Sequence, residues 1–478
     1  MLSYSFSDNK TTPLYEQLYQ MIRDDILSGR LHSFEPLPSK RSIANQLSIS
    51  VITVENAYNQ LMSEGYIESI PRKGFYVSDI NQIELRPDNT VYGLKNTTFI
   101  NTTSNNYSTD ISSPNYFADF TSNATDPESF PFTIWAKINR HILSEEQEKL
   151  MTNPPSNGMR ELRIAIAQNL SSFRGINVNP DNIIIGAGTD TIYSILIQLL
   201  GFDIMYGTED PGYDKISLAL NANNVANVRI PIDDSGIIIS ELRKNMVDII
   251  HTTPFHHFPT GITMPIKRRY ELLNWAVTPN RHLGLHNLKY IIEDDYDSEF
   301  RFTGLPIPSL FSIDNNERVI YMNTFTKSLA STIRISYMVL PDHLMNEYRE
   351  RLSFYSCPVS TFEQLTLARF ISEGFYEKHI NRMRTSSRKK RDTLLKAIKS
   401  CKLGDISEIK EEQAGLHFIL KLDASVSDES FILKCKKDGV NISSISEHSF
   451  MINYSSVPLD RIKDAVGVLE TASSSSLA

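Results

Sequence analysis

Cysteine is scarce in this chain: Cys357, Cys401 and Cys435 are the only three in 478 residues, and they form no CxxC pair and no Cys/His ligand pattern. This excludes a disulfide framework and a zinc site and fits buried thiols in a reducing compartment; no metal is expected. Long apolar runs are lacking as well. Stretches such as Ile183 to Ile185 are far too short to span a bilayer, and the opening MLSYSFSDNK lacks the charged-then-apolar design of a secretion signal, so the expectation is a cytoplasmic protein without membrane contact. Nor is there an excess of positive charge. The formal net charge is -8, so any contact with nucleic acid must come from a local basic cluster rather than from the field of the whole chain.

What is present is ordinary globular composition, with room for two or three domains and no internal repeat. From Pro13 the apolar residues Leu14, Leu18, Ile22 and Ile26 recur every four positions behind Thr12-Pro13, which predicts a capped amphipathic helix ending at Ser28-Gly29. A second helix is predicted from Ser39 through Leu47, and a third, capped by Ser50, runs to about Gly65. Tyr66 to Ile70 then alternates like a strand, Pro71-Arg72-Lys73-Gly74 reads as a turn, and Phe75 to Val77 returns as a second strand. Residues 80–113 are rich in Asn, Thr and Ser without a sustained period, which is linker composition.

Beyond the linker, helical segments alternate with short β-branched runs at Asn182 to Ile185, Val247 to Thr252, Lys289 to Ile292, Arg318 to Met322 and Ile335 to Leu340. That alternation predicts an α/β domain around a mostly parallel sheet. The last ninety or so residues, with strands at Gly415 to Leu420 and Ser449 to Tyr454, read as a smaller α/β subdomain. A disordered tail is expected from Ser473.

The segment from Leu37-Pro-Ser-Lys-Arg-Ser-Ile-Ala44 through Leu47-Ser-Ile-Ser-Val-Ile-Thr-Val-Glu-Asn-Ala-Tyr58 to Glu64-Gly-Tyr-Ile67 resembles the winged helix-turn-helix of GntR-type regulators. The resemblance implies a double-stranded DNA partner bound by residues 1–79. Ser39, Lys40 and Arg41 would then meet phosphates or a groove edge; Ser50, Thr53 and Asn56 would lie along the recognition helix; and Arg72, Lys73 and Gly74 would enter the minor groove. Where many relatives carry arginines on that helix, this chain has Val51 and Glu55.

A second set of motifs follows in order. Asn323-Thr-Phe-Thr-Lys-Ser-Leu-Ala330, with Arg334 and Ser336-Tyr337, resembles the lysine motif of fold-type I aminotransferases. Residues 114–478 would accordingly form an aminotransferase-like domain that binds pyridoxal 5'-phosphate. The resemblance makes Lys327 the imine-forming residue and assigns the phosphate to Thr324, Thr326, Arg334 and the amides of Gly188, Thr189 and Asp190. A phosphate dianion suits forked, charge-assisted donors and a helix N-terminus. By the same likeness Asp294 pairs with the pyridinium, Tyr296 donates to the phenolate and Tyr213, in Asp210-Pro-Gly-Tyr213, stacks on the ring.

Thr253-Pro-Phe-His-His-Phe-Pro-Thr-Gly261 departs from true aminotransferases, which usually carry Asn where Phe258 stands; His256 could substitute as donor. This form is typical of the MocR subfamily, in which a GntR-type head is joined to an aminotransferase-like body, and the resemblance covers about the whole chain. It implies a homodimer whose two heads read paired half-sites or direct repeats. The strand from Ser449 to Tyr454 has no arginine to grip a substrate carboxylate, and Lys215 stands two after Tyr213, where amino-acid-binding relatives favour arginine. A regulator with vestigial chemistry is therefore expected, sensing a small amine, an amino acid or the cofactor itself. The rival reading is a working aminotransferase with an accessory DNA head; a module that binds neither ligand would require two accidental constellations.

Overall fold

A computed structural model describes residues 4, 6, 13–71, 73–78, 116–122, 129–278, 288–302, 308–412 and 415–475. The chain divides into two compact units, residues 1–109 and 110–478. The expected linker, 80–113, lies outside the described residues.

In the first unit, helices α1 (Leu14–Leu27), α2 (Lys40–Leu47) and α3 (Val51–Ser63) are followed by a hairpin of β2 (Ile67–Ile70) and β3 (Gly74–Val77), and β1 (Pro36–Leu37) joins the free side of β3. Leu18, Ile22, Val54, Ala57, Tyr58 and Leu61 form its core because three- and four-residue spacings return them to one helix face. Leu14, the first of the expected stripe, is exposed. α1 begins behind Pro13, which provides no side-chain cap, and Thr12 lies outside the described residues. α2 and α3 are capped as the sequence predicts: Ser39 Oγ accepts from the Ser42 amide at 3.2 Å and Ser50 Oγ from the Thr53 amide at 3.0 Å.

The second unit opens with β4 (Ala118–Asp119). Its main sheet contains β5 (Ile183–Gly186), β6 (Tyr206–Asp210), β7 (Asn227–Asp233), β8 (Gly236–Ile237), β9 (Ile249–Thr252), β10 (Tyr290–Asp294), β11 (Val319–Thr324) and β12 (Ser336–Val339), in the spatial order β5-β12-β11-β10-β9-β6-β7-β8. β12 runs antiparallel to both its neighbours and β8 is antiparallel at the far edge; the other pairings are parallel. The carboxyl ends of β5, β6, β9, β10 and β11 therefore share one edge, where open α/β sheets bind ligands.

β6 and β7 were not foreseen. β6 reads Tyr-Gly-Thr-Glu-Asp, and its buried Glu209 is tolerated because Thr252 Oγ1 donates to it at 2.5 Å, the Thr253 amide at 3.1 Å and Thr253 Oγ1 at 3.0 Å. The smaller subdomain is an antiparallel sheet, with β13 (Ser407–Lys410), β14 (His417–Leu422), β16 (Ser444–Ser446) and β17 (Ser449–Asn453) in the order β13-β14-β17-β16. A short β15 (Val440–Asn441) pairs in parallel with β4. Contrary to the expected tail, the last helix spans Ile462–Ser474: Ser473 is buried and its hydroxyl donates to the Glu470 carbonyl at 2.9 Å. Among the described residues, no helix is long and apolar enough to cross a membrane.

Both tryptophans, Trp135 and Trp275, lie in the second unit. Leu61→Ala leaves a cavity in the first unit worth about 2–5 kcal/mol. In urea titrations of the full chain, the helical signal of the first unit should be lost at lower denaturant while the tryptophan fluorescence transition stays in place; a common shift of both would refute this.

Candidate functional site

The acids Glu293, Asp294 and Asp295 end β10 side by side in sequence, and strand alternation sends the middle one to the opposite face from its neighbours. Glu293 is consumed by the helix Leu310–Ile313, accepting from the Leu310 and Phe311 amides at 2.8 Å each. Asp295 is consumed by Arg174, at 2.9 Å, and by the Tyr321 hydroxyl, at 2.8 Å. Asp294 lines a cavity of about 240 Å³ at the carboxyl edge of the sheet. It makes no hydrogen bond or ion pair among the described residues, and burial, followed by the charges of Asp295, Asp297 and Glu209, pushes its carboxyl up to about 8.

Lys327 lies in the turn after β11 and lines the same cavity. Burial pulls its ammonium down to about 8, with Asp297 opposing. The cavity thus holds an acid shifted up and a base shifted down, each by loss of water.

One wall carries the anion-binding features. The helix Thr189–Leu200 starts at Gly188 without a side-chain cap, so its first amides are not taken by a capping oxygen. Arg334 Nη2 sits over this terminus, donating to Asp190 Oδ2 at 2.9 Å and to the Ala187 carbonyl at 3.1 Å. Gly188 has φ +96°, and a Cβ there would run into the Arg334 guanidinium. Thr324 Oγ1, at the end of β11, and Thr326 Oγ1, on the turn that carries Lys327, are 2.7 Å apart. Tyr213 and exposed Lys215 complete this side, with the Tyr213 ring edge-on to Phe258, centroids 5.7 Å apart.

The structure therefore gathers Gly188, Thr189, Asp190, Tyr213, Lys215, Asp294, Tyr296, Thr324, Thr326, Lys327 and Arg334 around one cavity. His256 is not among the lining residues. Its ring is buried behind the wall, where Nδ1 bonds Asp297 Oδ2 at 2.8 Å and the imidazole lies 4.4 Å from that of His417. Gly415 makes room for it, since a Cβ there would overlap the His256 ring. The Tyr296 hydroxyl donates to the His256 carbonyl at 3.0 Å, so His256 orients Tyr296. Thr253, Phe258 and Ser331 also line the cavity and were not singled out as ligands; Phe258 was visible as the departure before Pro-Thr-Gly, whereas nothing local marks Ser331. Asp297 and Glu209, next in sequence to the Tyr296 and Asp210-Pro-Gly-Tyr213 motifs, and His417, far from any of them, support the wall from behind. Met451 and its neighbours on β17 are buried apolar groups.

In the first unit, Ser39 and Arg41 are exposed at the start of α2, and Lys73 and Gly74 are exposed at the hairpin turn; Arg72 lies outside the described residues. Lys40 is not a free cation: its Nζ pairs with Glu55 on α3 at 2.8 Å and lies 5.4 Å from the Phe75 ring centroid. Ser50 and Thr53 bond each other through their hydroxyls at 2.8 Å while Ser50 caps α3, so both are partly committed to the helix start. Asn56 is exposed.

Residues 14–77 match the family of bacterial regulatory proteins of the gntR type. The chain is 40% identical over 434 residues to the HTH-type transcriptional regulator YdeL of Bacillus subtilis, covering 91% of this chain and 89% of that one. It is 28% identical over 473 residues to a probable rhizopine catabolism regulatory protein, MocR, of Rhizobium meliloti, covering 96% and 94%. Among solved structures, a multiple substrate aminotransferase from Thermococcus profundus superposes with a TM-score of 0.66 at 23% identity, over 76% of this chain and 92% of that one. A GntR-type head, an aminotransferase fold behind it and a regulator of that architecture matched almost end to end lead to one conclusion: this chain belongs to the MocR subfamily of GntR-type transcription regulators.

Proposed function

We propose that the second unit binds pyridoxal 5'-phosphate and uses it to sense a small amine or amino acid, or the cofactor's own abundance, with the DNA-binding head as the output. The observation that carries this reading is the pairing of Asp294 with Lys327 in one cavity, each driven toward its neutral form. A ligand with a basic ring nitrogen at one end and a carbonyl at the other answers both. Asp294 would hold the ring nitrogen as a cation, Tyr213 would cover the ring, and Tyr296, steered by His256, would sit beside the phenolic oxygen. Arg334, Thr324, Thr326 and the amides of Gly188, Thr189 and Asp190 would take the phosphate. When bound, the cofactor supplies an electrophilic carbonyl on an electron-withdrawing ring.

A sensor rather than a turnover catalyst is supported by β17, which offers buried apolar side chains where an aminotransferase needs a cation for the substrate carboxylate. Lys215 at the cavity rim is the remaining cation for an effector acid group. A homodimer with paired heads fits the body's exposed apolar side chains, Phe132 at 63%, Met151 at 78% and Phe354 at 73%.

The reading is tested by spectra and dialysis of the purified chain supplied with the cofactor. Lys327→Ala should abolish the long-wavelength absorbance band, and persistence of the band would overturn the assignment. Asp294→Asn removes a charge-assisted partner and should weaken cofactor retention roughly tenfold to a hundredfold, measured by equilibrium dialysis. Because Lys327 is depressed, its reactive neutral amine predominates above about pH 8. The rate of cofactor uptake should accordingly rise with pH and reach half its maximum near 8, rather than near the 10.5 of an ordinary lysine. Sustained oxo-acid formation from amino acids, over many turnovers, would favour the aminotransferase reading instead.

A further inference from the structure

The helix α3 presents one solvent face, made by Val51, Ile52, Glu55, Asn56 and Asn59, opposite the buried Val54, Ala57, Tyr58 and Leu61. Ile52 is 69% and Val51 42% exposed, at the N-terminal turn that in a helix-turn-helix meets base edges. An isoleucine this exposed on a small, well-packed unit serves no core. The face also lacks something: α3, Val51 to Ser63, contains no arginine and no lysine. The nearest cation, Lys40, is tied to Glu55 at 2.8 Å, which neutralises that acid against the phosphates.

Major-groove chemistry limits what such a face can read. Guanine presents two acceptors, O6 and N7, and is matched by the forked donors of arginine or by lysine. Thymine presents a 5-methyl group that only apolar contact recognises, and adenine pairs an acceptor with a donor that fits an amide. The exposed groups here are apolar at Val51 and Ile52 and amide at Asn56 and Asn59, with Glu55 able only to accept, as from cytosine N4.

Resting on the assignment of the first unit as the DNA-binding head, we propose that α3 reads an A·T-rich half-site, with Ile52 and Val51 packed on thymine 5-methyl groups and Asn56 on an adjacent adenine edge. Specificity is carried by methyl contact and amide pairing, without guanine-directed cations. Affinity comes from Arg41 and Lys73, exposed at the start of α2 and at the hairpin turn, through phosphate contact.

In vitro selection of random duplexes by the full-length protein should return half-sites rich in thymine and adenine. Replacing each selected thymine by deoxyuracil removes the methyl alone. Affinity should fall about fourfold at one or two positions, the effect of one buried carbon. Ile52→Ala should erase that sensitivity while leaving salt-dependent binding intact, and Val51→Arg should move the selection toward guanine. Both side chains are solvent-exposed, and circular dichroism checks that the variants remain folded. Selected half-sites that place guanine under α3, or affinity indifferent to the thymine methyl, would overturn the proposal while leaving the head a DNA-binding unit. A protein that selects no sequence and binds no duplex would overturn the DNA-binding assignment itself.

Discussion

A carboxyl group drawn out of water with no hydrogen-bond or ionic partner among the described residues is an expensive feature, and half-buried Asp294 is one. The other acids around it are spoken for: Glu293 caps a helix, Asp295 pairs with Arg174, and Asp297 bonds His256. The charges of Asp295, Asp297 and Glu209 fall on Asp294 and add to the effect of burial. Across the same cavity Lys327 is desolvated in the opposite sense. Asp294 and Lys327 line one cavity and are both held toward their neutral forms, so the site sets a demand on charge as well as on shape for any ligand.

The fold delivers this arrangement with few devices. Parallel strands bring Gly186, Asp210, Thr252, Asp294 and Thr324 to one edge of the sheet, and the reversal at β12 returns Arg334 to that edge beside β5 and the helix that follows it. The smaller subdomain supplies the backing. The Gly415 amide donates to the Phe300 carbonyl at 3.0 Å, the Tyr454 hydroxyl donates to the Gly415 carbonyl at 2.8 Å, and His417 leans on His256. His417 on this sheet thus reaches Tyr296 by way of His256.

The head by contrast carries no excess of positive charge. The exposed face of α3 is apolar and amide-bearing, one of the head's cations is committed to Glu55, and the whole chain is acidic. A weak electrostatic background favours discrimination over indiscriminate attachment, because sequence-independent affinity for DNA grows with each phosphate neutralised.

Much of this was legible in residue order. Caps, four-residue apolar spacing and the Pro-Arg-Lys-Gly turn specify the head because those signals are local; the capping serines and the hairpin lie where the sequence predicts them. The lysine, the acid, the tyrosines and the glycine-led helix start could likewise be named from motifs, because each lies in a short segment that resembles its counterpart in fold-type I aminotransferases. Tertiary structure alone decided what depends on partners far along the chain. Only packing sets Asp294 apart from its two acidic neighbours, moves His256 from the cavity wall to a place behind Tyr296, stabilises the polar β6 through Thr252 and Thr253, and occupies Lys40 with Glu55. Burial, desolvation and pairing are properties of surroundings assembled from distant segments, and no stretch of sequence contains its own surroundings.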